Sequence, residues 1–202
     1  MTVVIGLTGG IASGKSVISS MLAKRGAVVI DADRLGHQAY RAGTETFRRV
    51  VEAFGEDIVG ADGEIDRTRL GPKVFGDPEA RRRLENIVWP AIREMARARI
   101  EAERRRGAGV IVLEAAVLIE AAWHDLVDEV WVAEVSSELA VERLAVRNGL
   151  TREQAEARLN AQLSNEERRR HADVVIENSG TLEDLRRAVE DAWAKLHERA
   201  RV

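Results

Sequence analysis

Near its amino terminus the chain runs VVIGLTGGIASGKSV over residues 3–17, and no other stretch limits the possible folds as tightly. Gly9, four further residues, then Gly14, Lys15 and Ser16 is the spacing of a P-loop, a turn that wraps a polyphosphate with backbone N–H groups. Close approach of backbone to phosphate needs small residues, here Ala12, Ser13 and Gly14. The anion must also face the positive end of a following helix, which Val17 and its successors can form. Lys15 would then reach the β- and γ-phosphates, while the Ser16 hydroxyl ligates the Mg²⁺ that bridges them. Residues 3–7 are β-prone and residues 17–22 can continue a helix, so strand, loop and helix stand in the required order. The bland alternative is a flexible glycine turn that happens to precede a lysine. Composition argues against it, because of 31 basic residues only Lys15, Lys24, Lys73 and Lys195 are lysines. Nucleoside-triphosphate binding is the first expectation.

A chain of 202 residues suffices for one α/β catalytic unit with an insertion. Its net charge of −3 gives no general attraction to nucleic acid or to an anionic membrane, so an anionic ligand must be held by a local basic site. The absence of cysteine excludes thiolate nucleophiles, disulfides and cysteine metal sites, and it fits a reducing compartment. No leader pattern precedes the first strand and no apolar run approaches the roughly 18 residues of a membrane span, so a cytoplasmic protein is expected. His37, His124, His171 and His197 show no i, i+4 pairing and receive no role.

After Gly26, which can end the first helix, residues 27–30 read as a second buried strand that runs into Asp31 and Asp33. Ligands of open α/β sheets sit beyond the carboxyl ends of the strands, so this strand delivers acid beside the phosphates. The competing reading has Asp33 merely capping a helix that begins near Arg34. Residues 35–106 turn almost wholly helical. There Asp77 caps and Pro78 opens a long apolar-striped helix that Pro90 must kink or restart. A strand at 110–113 ends at Glu114, either a carboxylate beside the Mg²⁺ or a plain strand-end glutamate. Residues 129–133 form a fourth strand, with Trp123 and Trp131 as packing residues. Residues 137–171 make a helical hairpin with Arg143 and Arg147 at i, i+4, capping boxes at 151–154 and 164–167, and Arg158 and Gln162 on its second helix. Two readings stand for it: a lid over phosphates, or a charged surface hairpin. A fifth strand at 173–177, a turn at 178–180 and a helix capped by Thr181 close the chain. The alternation implies the α/β class, a doubly wound five-stranded parallel sheet of P-loop kinase type with a helical substrate-binding insertion and a helical lid. The core would comprise residues 1–34, 107–136 and 172–202, the insertion 35–106 and the lid 137–171.

Six segments, in this order, resemble the dephospho-coenzyme A kinase family: GLTGGIASGKS at 6–16, IDAD at 30–33, IVWP at 87–90, VLEAAVLIEAAW at 112–123, RLAVRNGLT at 143–151 and ADVVIENSG at 172–180. The resemblance implies transfer of the ATP γ-phosphate to the ribose 3′-hydroxyl of dephospho-CoA, with Mg²⁺ as cofactor and neither nucleic acid nor membrane as partner. It makes Asp33 the base, with Lys15 and Arg147 beside it at the chemistry. It sets Arg143, Arg147, Arg158 and Gln162 in the lid, and gives the insertion the CoA-binding part. Asn178 and Gly180 fall near the nucleotide. Trp89-Pro90, residues 116–120 and Ala140 depart from the commoner bacterial pattern and look more like the kinase part of the animal bifunctional CoA synthase. Another small-molecule P-loop kinase, such as a nucleoside monophosphate kinase, shares the fold and the phosphate chemistry. A GTPase-type switch matches Asp-x-x-Gly at 33–36, but no Asn-Lys-x-Asp follows.

Overall fold

The structure, a computed structural model, describes residues 2–199. Strands β1 (Val3–Gly9), β2 (Val28–Asp31), β3 (Val110–Glu114), β4 (Glu129–Glu134) and β5 (Val174–Glu177) form one parallel sheet in the order β2-β3-β1-β4-β5. The first strand is central, and six of its seven residues are buried, as expected of a strand covered on both faces. On one face Ile5, Leu7, Val112, Trp131 and Ile176 pack against helix α1 (Lys15–Ala23) and, from the far end of the chain, Leu185, Val189 and Leu196. Ile18 and Leu22, four apart and so on one side of α1, are fully buried in that cluster. Each contributes about 2 kcal/mol by leaving water, and Leu22→Ala should cost about 2–5 kcal/mol.

The strand order creates the crevice that matters. From β1 the chain leaves toward β2 on one side; from the adjacent β3 it leaves toward β4 on the other, so the carboxyl ends of β1 and β3 flank a topological switch point. The glycine loop follows β1 there, and Glu114 is the last residue of β3. Gly9 makes the exit from β1 possible: a Cβ at that position would lie 2.3 Å from the Ala133 carbonyl oxygen of β4.

The chain divides into two compact units, one of residues up to Asp31 and from Ile100 onward, the other of Ala32–Arg99. The second is helical: α2 (Ala32–Ala39), α3 (Glu45–Phe54), α4 (Arg67–Val74) and most of α5 (Pro78–Arg105). Thr44 accepts the Phe47 N–H, Asp66 that of Thr68, and Asp77 those of Glu79 and Ala80, so three helix starts carry side-chain caps. Two expectations are corrected here. Helix α2 starts at Ala32, ahead of Arg34, so Asp33 lies inside the first turn and is not its cap. Pro90 does not restart α5, which is one 28-residue helix, because Ile92, Ala96 and Ile100 continue a buried stripe that offsets the lost backbone hydrogen bond. The remaining helices, α6 (Ser137–Asn148), α7 (Arg152–Asn160), α8 (Asn165–Arg169) and α9 (Leu182–Arg199), belong to the sheet-bearing unit, and both expected capping boxes, at Thr151 and Ser164, are present. Among the described residues no helix is long and apolar enough to cross a membrane.

Candidate active site

The loop between β1 and α1 is shaped by Gly14 and Asn178. Gly14 has φ +91°, a left-handed conformation, and a Cβ there would fall 2.2 Å from the Asn178 Nδ2. That nitrogen donates to the Ser13 carbonyl at 2.9 Å, so the buried Asn178 amide supports the loop from beneath. Gly14 offers no side chain to cap α1, so this helix end, where an anion is favoured, carries no side-chain cap. Ala12 is also left-handed, at φ +60°, a conformation that costs an alanine about 1 kcal/mol and persists only where neighbours hold it. The Lys15 Nζ folds across the loop, donating to the carbonyls of Gly9 at 2.8 Å and Gly10 at 3.2 Å. Val17, which follows Ser16, is exposed beside this opening.

Glu114 meets the start of α1. The Ser16 hydroxyl donates to Glu114 Oε1 at 3.1 Å and the Ser19 hydroxyl to Oε2 at 2.6 Å. In register, Glu114 stands between Leu7 of β1 and Asp31 of β2, so two strand-end carboxylates lie side by side. Among the described residues no group of three or more His, Asp or Glu forms a metal cage. A cation here would therefore need phosphate oxygens and water to complete its shell. An oxygen-only set of one hydroxyl and a nearby carboxylate fits Mg²⁺, which binds in that way.

Helices α6 and α7 share a small core of Val141, Leu144 and Ala155, and Ile11 and Ala12 from the tip of the glycine loop pack against it. The structure thus brings the hairpin to the loop, through Gln162: it lies past the end of α7, which stops at Asn160, and not on that helix as expected, and its Oε1 accepts the Ile11 N–H at 2.8 Å. It does not bring the arginines into hydrogen-bond contact with the loop. Arg147 is exposed and donates to Asn148 at 3.1 Å, and among the described residues Arg143 and Arg158 engage in no hydrogen bond or ion pair. Arg168 and Glu120 went unnoticed in the sequence. Arg168 is 1% exposed and pairs with Glu120 at 3.3 Å, and burial holds its pKa below the ordinary arginine range while Glu120 and Glu167 oppose the shift. The available signal was Glu120 itself, an acid closing an apolar run. Asp33, in the helical unit, is the second residue of α2.

A parallel sheet whose switch point carries a glycine loop, an uncapped helix start and a serine–glutamate pair is the architecture of P-loop kinases. Comparison with known proteins narrows the class. A family model for dephospho-CoA kinase matches residues 3–184. The dephospho-CoA kinase of Geobacter sulfurreducens is 53% identical over 192 residues, 95% of this chain and 98% of that one. Among solved structures, a Thermus thermophilus protein superposes with a TM-score of 0.78 at 35% identity, covering 96% of this chain and 98% of that one. The dephospho-CoA kinase of Campylobacter jejuni superposes at 0.74 and 27% identity, with 99% and 100% covered. The chain belongs to the dephospho-CoA kinase family. As a member of a kinase family it takes ATP as its phosphoryl donor.

Proposed function

We propose that the protein transfers the γ-phosphoryl group of ATP to the ribose 3′-hydroxyl of dephospho-CoA, giving coenzyme A and ADP, the last step of CoA biosynthesis. The match to dephospho-CoA kinase across residues 3–184 carries this reading, and the loop geometry is consistent with it. Backbone N–H groups between Ala12 and Val17 cradle the phosphates, and the Lys15 ammonium leaves the Gly9 and Gly10 carbonyls for the β- and γ-phosphate oxygens. Ser16 would hold Mg²⁺, with Glu114 positioned to orient that hydroxyl. When bound, Mg²⁺ neutralises charge on the β- and γ-phosphates.

Asp33 takes the proton of the 3′-hydroxyl as its oxygen bonds to the γ-phosphorus and the bond to the β–γ bridging oxygen breaks, releasing ADP. No unusual pKa is required, since proton transfer completes late in a loose transition state. The hairpin at 137–171 acts as the lid, with Arg143, Arg147 and Arg158 available to meet the developing charge. Asn178 keeps the nucleotide-side turn in place. The helices between 35 and 106 hold the CoA part of the acceptor, and the protein works in the cytoplasm.

The test is ADP release from ATP and Mg²⁺ with a panel of acceptors. Dephospho-CoA should be turned over, with AMP, CMP, shikimate and gluconate at background. Turnover of a nucleoside monophosphate or a sugar acid with dephospho-CoA left unchanged would overturn the assignment.

A further inference from the structure

One N–H group of the glycine loop is treated differently from its neighbours. The Ile11 N–H, at the loop's tip, is held by Gln162, a residue 151 positions further along the chain. Gln162 is held in turn. Arg168 donates to the carbonyl of Leu163, the next residue, and through Nη2 to Glu120 in the turn after β3. The same guanidinium borders the loop, because its Nη1 lies 3.6 Å from where a Gly10 Cβ would stand, and Gln162 Oε1 lies 3.8 Å from that point. Asn165 and Arg169 fasten this limb to β4, on the Val135 carbonyl at 2.8 Å and on both Glu134 oxygens at 2.6 and 2.7 Å. A continuous chain of contacts therefore runs from Glu120 through Arg168 and Leu163 to Gln162 and the loop. Left-handed Ala12 sits between its two held groups, the Ile11 N–H and the Ser13 carbonyl.

We propose that Gln162 is a positioning residue for the triphosphate-binding loop and that the buried Arg168–Glu120 pair is the anchor that sets it. A neutral acceptor suits the place. It pairs the Ile11 N–H without setting a negative charge beside the phosphates. The anchor suits it too: a fully buried guanidinium remains charged at neutral pH, and its rigid planar fork holds Leu163 and Glu120 in fixed directions, which a single ammonium nitrogen of shorter reach does not reproduce. The hairpin and the loop thus share one backbone contact, and the loop's shape depends on how the limb after α7 is seated.

This inference rests on ATP occupying the glycine loop, and wild-type turnover of dephospho-CoA, measured in the same assay, tests that reading separately. Gln162 is exposed and borders a cavity of about 310 Å³ beside the loop, so Gln162→Met, similar in size but without the acceptor, should fold normally. It should raise the Kd and KM for ATP about tenfold, the loss of one such hydrogen bond, while the KM for dephospho-CoA and the Tm stay near wild type. Gln162→Glu keeps the acceptor but adds a negative charge beside the phosphates, so its ATP affinity should fall at low ionic strength and recover as added salt screens the repulsion. Arg168→Lys should share the ATP defect, and the double variant with Gln162→Met should be no worse than the more affected single. Wild-type ATP affinity in Gln162→Met, both KM values moving together with Tm, a Gln162→Glu defect that salt does not relieve, or additive effects in the double variant would each overturn the proposal.

Discussion

The sheet-bearing unit and the helical unit hold their polar groups in different ways. In the first, side chains around the glycine loop are tied to partners far away in sequence: Asn178 to the Ser13 carbonyl, Ser16 and Ser19 to Glu114, Gln162 to the Ile11 N–H. In the second, the links span shorter stretches of chain, such as the Thr44, Asp66 and Asp77 caps, the i, i+4 pair of Arg81 with Glu85 and, over 16 positions, Lys73 with Asp57. The difference fits the proposed division of labour. A triphosphate is small, highly charged and always presented alike, so a loop pinned from several sides suits it. Under the proposed function the helical unit takes the acceptor, which is long and charged only at its diphosphate, and a helical surface suits that. The boundary falls between Asp31 and Ala32, so donor-holding groups lie in one unit and Asp33 in the other. Substitutions should therefore separate into those that act on ATP and those that act on the acceptor.

The sharpest blow to the donor side is Lys15→Ala. Both ATP affinity and turnover should fall, turnover by about 10³-fold, since a cation on the transferring phosphates is lost. Steady-state kinetics with each substrate varied will show it, and a loss confined to the dephospho-CoA KM would break the division. Glu114→Gln comes next. It should lower turnover by roughly 10–100-fold, the usual cost of removing an outer carboxylate at a metal site, with partial recovery at raised Mg²⁺. Failure of Mg²⁺ to rescue it would make Glu114 a packing partner of Ser16 and Ser19. Arg147→Ala distinguishes a lid from a charged surface hairpin. A lid role predicts a turnover loss of more than about tenfold with Tm unchanged, and a surface role predicts kinetics like wild type.

The smallest effect belongs to the helical unit. Lys73 hydrogen-bonds Asp57 at 2.7 Å and holds its carboxyl below the ordinary value of 3.8. A carboxylate with a lowered folded-state pKa adds stability that is fully present above 3.8 and is lost as the pH falls through the lowered value. In thermal melts Lys73→Met should thus differ slightly from wild type at pH 7, and the gap should narrow below about pH 4 as Asp57 protonates, leaving the pH-independent loss of the bond to the Phe54 carbonyl. ATP affinity should not move. An ATP defect in this variant would mean that the helical unit bears on the donor after all.

Much of this division was legible in the sequence, for reasons that differ by residue. Gly9, Gly14, Lys15 and Ser16 are read directly because a phosphate loop is built from consecutive residues, and the five strands stand out as apolar runs. The capping boxes at Thr151 and Ser164 are equally local and were found as expected. What local pattern cannot carry is a partner from elsewhere. Residues 168–170 are three arginines in a row, and nothing local sets the first apart, yet Arg168 is buried and Glu120, 48 positions earlier, meets it. Ser19 looked like an ordinary helical residue until β3 set Glu114 against it. The early start of α2 was hidden because Ala32 between two aspartates carries no periodic signal, and the unbroken α5 because tertiary burial overrides the local effect of Pro90.

Asp33→Asn tests the separation of donor from acceptor most directly, since it changes one carboxylate oxygen and little else. The measurement pairs an ATP-binding titration with single-turnover phosphorylation of dephospho-CoA by the same preparation. The account predicts ATP affinity within about twofold of wild type and a rate lower by about 10²-fold or more. A rate near wild type, or an ATP affinity that falls in step with the rate, would contradict it.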